Sequence, residues 1–102
     1  MIKIYGRDDC HDCVDCKASF DINGIEYDFR DIGKSLHDMA VFIKIRDLNT
    51  VFESIKGTGK IGIPLLITDE NEFVLEWEKY LSDKGFSVVK SGQVCSIDGK
   101  GC

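Results

Sequence analysis

The chain opens on alternation. Ile2 and Ile4 flank Lys3, Tyr5 follows, and this β-rich run predicts a short strand that Gly6 to Asp9 breaks. From about Asp12 to Ile22 the pattern turns helical, with Val14, Ala18, Phe20 and Ile22 as apolar contacts and Asn23-Gly24 as the stop. A second strand is expected from Ile25 to Ile32, where Ile25, Tyr27 and Phe29 alternate with charged neighbours. Leu36, Met39, Phe42 and Ile43 then fall on one face of a helix ending near Arg46. Asp47 or Asn49 can cap a second short helix carrying Val51, Phe52 and Ile55, and Gly57-Thr58-Gly59 makes a loop. Leu65 to Thr68 reads as a central strand, turned by Asp69 to Glu72 into an antiparallel partner over Phe73 to Trp77. A last helix covers Glu78 to Lys84 and stops at Gly85, with Trp77 and Phe86 as core or rim contacts. Beyond Val89 the chain becomes Ser- and Gly-rich, and residues 91–102 are expected to form a mobile tail.

The order is strand, helix, strand, helices, strand, strand, helix. A βαβ unit followed by a hairpin implies an α/β fold, a mixed four-stranded sheet with helices on both faces. At 102 residues, without internal repeat, one domain over residues 1–90 accounts for the whole pattern.

Charge and composition narrow the function. The formal net charge of −5 argues against nucleic acid as a partner, since a phosphate-binding surface needs positive potential. No apolar run is long enough to span a bilayer, and no apolar signal segment precedes the first strand, so a cytoplasmic protein with no membrane partner is expected. Five cysteines without an export signal fit redox or metal chemistry better than a secreted disulfide framework. Gly57-Thr58-Gly59-Lys60 lacks the spacing and preceding strand of a phosphate loop and reads as a turn.

Three of those cysteines stand in the run CHDCVDC, at Cys10, Cys13 and Cys16. Cys10 follows a strand and precedes a helix, where unpaired backbone N–H groups and the helix dipole both favour a thiolate. Cys13 lies one turn along, close enough to pair with it, and CxxC at such a junction is a redox signal. Cys16 fits a small buried residue between helix and sheet, with a third redox thiol as its functional alternative. A zinc or iron–sulfur carrier is the competing class, with Cys95 or Cys102 as a fourth ligand, although three ligands running into one helix converge poorly on an ion. Cys95 and Cys102 are also spaced to permit a disulfide. His11 can supply positive charge beside the thiolate, whereas Asp8, Asp9, Asp12 and Asp15 oppose it and Arg7 offsets part of their effect.

With those residues in view, the chain resembles the glutaredoxins, small thioredoxin-fold thiol–disulfide oxidoreductases. KIYGRDDCHDCVDCK lines up with the family's first strand, active-site loop and helix, and IGIPLLI resembles its Thr-Val-Pro segment. The resemblance covers residues 1 to about 90. It implies Cys10 as nucleophile, Cys13 as resolving thiol and Pro64 as a cis-proline facing them. Ile63 would then offer backbone groups to the substrate, beside His11. Arg7 matches a basic position able to meet the glycine carboxylate of glutathione, with Arg46 or Lys60 assisting. The implied activity is reduction of protein disulfides or glutathione mixed disulfides, restored by glutathione or a flavoprotein reductase, with no tightly bound cofactor. Three positions depart from the pattern: His11-Asp12 replaces Pro-Tyr, Gly62 stands where threonine is usual, and Glu76-Trp77-Glu78 replaces the segment that receives the γ-glutamyl end of glutathione. The stretch from Leu36 to Lys60 is longer than the compact family form, so an extra turn there can shape the cleft.

Overall fold

A computed structural model describes residues 1–90; the tail expected over 91–102, with Cys95 and Cys102, lies outside the described residues. Strand β1 (Ile2–Gly6) leads into α1 (His11–Ile22), then β2 (Tyr27–Asp31) and α2 (Leu36–Leu48). A 3-10 turn (Thr50–Phe52) and a loop carry the chain to β3 (Leu65–Ile67), β4 (Phe73–Val74) and α3 (Trp77–Asp83). The sheet order is β2-β1-β3-β4. β1 pairs parallel with β2 and antiparallel with β3, and β3 pairs antiparallel with β4, so the sheet is mixed, as the βαβ-plus-hairpin order predicts.

The two-residue period of a strand divides the core into two layers. Ile2 and Ile4 of β1, with Leu66 of β3, pack on one face against Cys16 and Phe20 of α1 and Trp77 and Leu81 of α3. Tyr5 and Leu65, opposite each other in register, face the other way, onto Phe42 of α2 and Phe52 of the 3-10 turn. Phe42 and Phe52 meet edge to face with centroids 6.0 Å apart. Helices therefore cover both faces of the sheet.

Several boundaries shift for local reasons. β2 is shorter than Ile25 to Ile32 because the Ile25 amide turns back to the Phe20 carbonyl at the end of α1. β4 ends at Val74, and Trp77 opens α3 instead of closing the strand, its indole buried in the core. The short helix expected after Asn49 is a single 3-10 turn followed by further turns, and α2 runs on to Leu48.

Each expected apolar face is borne out in part, by Phe20 in α1 and by Met39 and Phe42 in α2. Val14 and Ile22 of α1 are 42% and 66% exposed, because the buried stripe at three- and four-residue spacing is Cys13, Cys16 and Phe20 with Ser19. Leu36 and Ile43 of α2 are likewise exposed, the buried line being Phe42 flanked by Met39 and Ile45. Phe86 is 37% exposed and sits at the rim. Among the described residues no helix is long and apolar enough to cross a membrane.

Candidate thiol site

The site is assembled where β1 gives way to α1. Cys10 is the N-cap of α1, its backbone extended at φ −101° and ψ 120°, and the Cys13 amide donates to Cys10 Sγ at 3.4 Å. Cysteine thus takes the place of the usual serine or aspartate cap. Cys13, one turn on, lies over the end of β1, where the Arg7 amide donates to its Sγ at 3.5 Å. Gly6 makes this fit possible: a Cβ there would stand 2.6 Å from Cys13 Sγ, inside contact distance. All three cysteines of the run are free thiols.

Exposure separates their roles. Cys10 keeps 4% of its surface and is the outer thiol, while Cys13 and Cys16 keep none. Cys10 and Cys13 belong to the layer containing Ile63, whereas Cys16 belongs to the opposite layer with Phe20 and Trp77. The triplet therefore diverges. Among the described residues, no three His, Cys, Asp or Glu side chains are grouped to hold a metal ion.

Electrostatics further divide the pair. Cys10 is lowered from 9.0 to about 7, first by the hydrogen bond from the Cys13 thiol and then by the Cys13 and Asp12 amides, against burial and the Asp12 carboxylate. A value near 7 lies at the upper end of the range of about 3.5–7.5 seen for activated cysteines. Cys13 is pushed strongly upward, chiefly because its proton is held by Cys10, and then by burial. Burial also raises Cys16.

Neighbouring carboxylates oppose the thiolate less than their number suggests, because ion pairs occupy two of them. Asp8 binds Lys17 at 2.8 Å and Lys34 at 2.6 Å, which hold its carboxyl far below the usual range. Asp9 takes the Arg7 guanidinium in a fork, at 2.8 and 2.9 Å.

Past Asp12, which stands between the two cysteines in the chain, runs a groove of two adjoining cavities, about 140 and 610 Å³, whose walls include neither Cys10 nor Cys13. Both are walled by Asp12, Lys60, Ile63, Pro64 and Leu75, and the larger extends along Glu76 to Lys79 at the start of α3. The Ile63–Pro64 peptide bond is cis. Gly62 precedes it at φ +95°, with Phe52 and Ile55 so close that a Cβ would lie 2.7 Å from each, so the threonine usual in glutaredoxins has no room here. Ile55 also lines the smaller cavity, so the segment before Lys60 shapes the cleft.

Of the residues singled out from sequence, Cys10, Cys13 and Ile63 come together in one layer, and Pro64 joins Ile63 in the groove wall. Arg7 and His11 line neither cavity: His11 opens α1, and Arg7 lies against Gly33 with its fork filled by Asp9. Arg46 is spent on the loop, donating to the Ile61 carbonyl at 3.0 Å and the Lys60 carbonyl at 3.1 Å. It positions the segment leading to Ile63-Pro64.

Sequence reasoning missed that tie, the Asp12 and Leu75 walls, and the clearance supplied by Gly6. For Gly6 a signal existed: a glycine closing a strand just before CxxC marks a close approach.

Fold and site together define a mixed α/β protein with a vicinal thiol pair at a strand-to-helix junction, bordered by a groove with a cis-proline in its wall. The chain is 32% identical over 76 residues to an uncharacterized protein of Haemophilus influenzae, the match spanning 74% of this chain and 88% of that one. It belongs to the family of that protein. No family model matches the chain, and no solved structure matches it.

Proposed function

We propose that this protein is a thioredoxin-fold, glutaredoxin-like thiol–disulfide oxidoreductase of the cytoplasm. One observation carries the reading: the outer thiol caps a helix N-terminus and ionises near 7, while its partner one turn along keeps its proton. That asymmetry supports Cys10 as the thiol that attacks first.

The Cys10 thiolate attacks one sulfur of a protein disulfide or glutathionylated thiol. The second sulfur leaves as a thiolate and takes up a proton, and Cys10 now carries a mixed disulfide. Capping Cys10 removes the charge that held the Cys13 proton, which is the first cause of the high Cys13 pKa. The Arg7 amide still donates to Cys13 Sγ and now favours its ionised form. Burial still opposes its ionisation, but less stands against it than in the resting pair, and Cys13 acts as the second nucleophile. It attacks Cys10 Sγ, the substrate leaves as its thiol, and the two electrons it gained have come from the Cys10–Cys13 pair. Glutathione or a flavoprotein reductase restores the dithiol. The groove beside Ile63-Pro64 receives the substrate backbone and Leu75 its apolar side chains.

The test is the reduction potential of the Cys10–Cys13 couple, measured anaerobically with metal content and disulfide mapping on one sample. A metal-free Cys10–Cys13 bridge between about −270 and −200 mV supports a dithiol carrier. Stoichiometric zinc or iron, or thiols that do not exchange, would overturn it in favour of a ligand set.

A further inference from the structure

The four-stranded sheet ends at β2 on one side and at β4 on the other. β4 is only two residues long, and so short an edge offers a neighbour little to pair with. β2 is different. Its sequence YDFRD runs five residues without proline or glycine, and its register with β1 is unbroken, so no bulge or missing donor blunts it.

One hydrogen bond shows which backbone groups face outward. The Ile32 amide donates to the Gly6 carbonyl at 2.9 Å, so by the two-residue period Arg30 and Asp28 also turn their amides and carbonyls toward β1. Tyr27, Phe29 and Asp31 turn theirs the other way, to the outer edge. Among the described residues no strand pairs with that edge. The side chains sort by the same period. Tyr27 and Phe29 pack on the layer of Ile4 and Phe20, whereas Arg30 lies on the α2 face, where it meets Asp28 at 2.8 Å and Asp38 at 3.8 Å. The Arg30 and Asp28 side chains keep 42% and 36% of their surface open.

These residues are complementary to themselves. Antiparallel pairing of β2 with a second β2, centred on Phe29, sets Phe29 opposite Phe29, Tyr27 opposite Asp31 and Asp28 opposite Arg30. The outward amide and carbonyl of Phe29 then meet the same groups of the second copy. Asp28 and Arg30 fall in the flanking non-hydrogen-bonded pairs, where Cα atoms stand about 4.5 Å apart and side chains are closest. Each Arg30 lies between its own Asp28 and that of the second copy, so four charges alternate around a square. Sliding to the neighbouring two-fold registers sets Asp28 opposite Asp28, or Arg30 opposite Arg30. Charge therefore selects one register.

We infer that β2 is a dimerisation edge, on which a second copy of this chain pairs β2 to β2, antiparallel about a two-fold axis at Phe29. The two sheets become one of eight strands. Because β1 runs parallel to β2 and leads to Cys10, the antiparallel join sends the two thiol sites to opposite ends of that sheet and leaves each groove open. A ladder of five residues is a small interface, so the dimer is in equilibrium with monomer and depends on concentration.

Sedimentation equilibrium of the full chain tests this, over roughly 10 μM to 1 mM and under reductant so that no intermolecular disulfide contributes. The expected result is a monomer–dimer equilibrium. Arg30→Asp sets Asp against Asp across the axis, and Asp28→Arg sets Arg against Arg, so each alone should weaken association by roughly tenfold or more. Mixing the two variants restores both attractive pairs and should return a heterodimer as tight as the native dimer. The double reversal D28R/R30D also restores them, and it serves where circular dichroism shows a single variant to be unfolded. Hydrogen exchange gives a second reading. The Phe29 and Asp31 amides should slow as concentration rises, while those of Asp28 and Arg30, already turned to β1, should not. A native chain that stays monomeric throughout, a dimer indifferent to both charge reversals, or a dimer whose Phe29 amide gains no protection overturns the inference.

Discussion

Replacing Cys13 with alanine should raise the pKa of Cys10, because the Cys13 thiol donates the hydrogen bond that lowers it most. The magnitude follows from the shift from 9.0 to about 7. At pH 7 a thiol of pKa about 7 is roughly half ionised, against about 1% for one of 9, a gain of roughly fiftyfold in thiolate. Nucleophilicity falls with pKa at a coefficient of about 0.4–0.5, which takes back roughly six- to tenfold over that shift. The net advantage at pH 7 is about five- to eightfold. The assay is the rate of iodoacetamide alkylation of Cys10 against pH, read by mass so that the buried Cys16 is counted separately. The native protein should show a midpoint near 7, and Cys13→Ala a midpoint shifted toward 9, with a several-fold slower rate at pH 7 and a higher alkaline plateau. The sign for stability follows from the lowered folded-state value. Cys10 ionisation stabilises the reduced fold fully above about pH 9, and the contribution is lost as pH falls through about 7. Its ceiling is about 2–3 kcal/mol at 1.36 kcal/mol per unit. An unchanged midpoint in Cys13→Ala would refute the reasoning, since the backbone amides would then be carrying the thiolate by themselves.

Gly6→Ala should cost about 1–3 kcal/mol by overpacking, seen as a lower urea midpoint, since the new methyl meets Cys13 Sγ on one side and Phe29 on another. Arg46→Ala should lower stability by only about 1 kcal/mol while raising KM for a protein disulfide and leaving the Cys10 alkylation midpoint in place, because it loosens the Lys60–Ile61 carbonyls and not the thiol. Ser19→Ala leaves the Val89 amide without its acceptor and should cost about 1–3 kcal/mol, with faster hydrogen exchange at Val89 and little change at Ser87, which Asn23 still holds.

What the sequence disclosed depended on the range of the interaction. Alternation around Ile4 and in Leu65-Leu66-Ile67, together with the Asn23-Gly24 stop, are local signals, and the strands and α1 fall where those signals put them. In α1 the pattern finds Phe20 but not the rest of the buried stripe, which is built largely from cysteine and serine. A hydrophobicity pattern therefore pointed to Val14 and Ile22, which face solvent. The thiol pair was legible because its chemistry is a short motif at a strand-to-helix junction. Its surroundings were not, because they depend on contacts distant in sequence. The Arg7 fork is filled by its own neighbour Asp9, Lys34 reaches across to Asp8, and Ser19 meets Val89 seventy residues away. No residue type announces such a partner in advance.

Those filled partners bear on the reductant. Glutathione brings two carboxylates and one ammonium, and binding it calls for cations beside the thiol. Arg7, the residue best matched to that task by resemblance, already holds a carboxylate in fork geometry, so an incoming one must displace Asp9. Arg46 donates from two nitrogens to backbone carbonyls, which leaves Lys60, shared by both cavities, and Lys79 of the larger one, itself paired with Asp83 at 2.9 Å. Facing Lys60 stand Asp12, Glu76 and Glu78, with Glu76 at the N-cap of α3 making no side-chain cap bond. A ligand carboxylate about 6 Å from one such group loses about 0.7 kcal/mol at the dielectric of water and about 2.8 kcal/mol at an effective value near 20. Each unfavourable pair therefore weakens glutathione between about threefold and a hundredfold, while a disulfide within a protein segment carries no such obligatory carboxylates. On the proposed exchange reading, these carboxylates weigh against glutathione as a ligand of the groove.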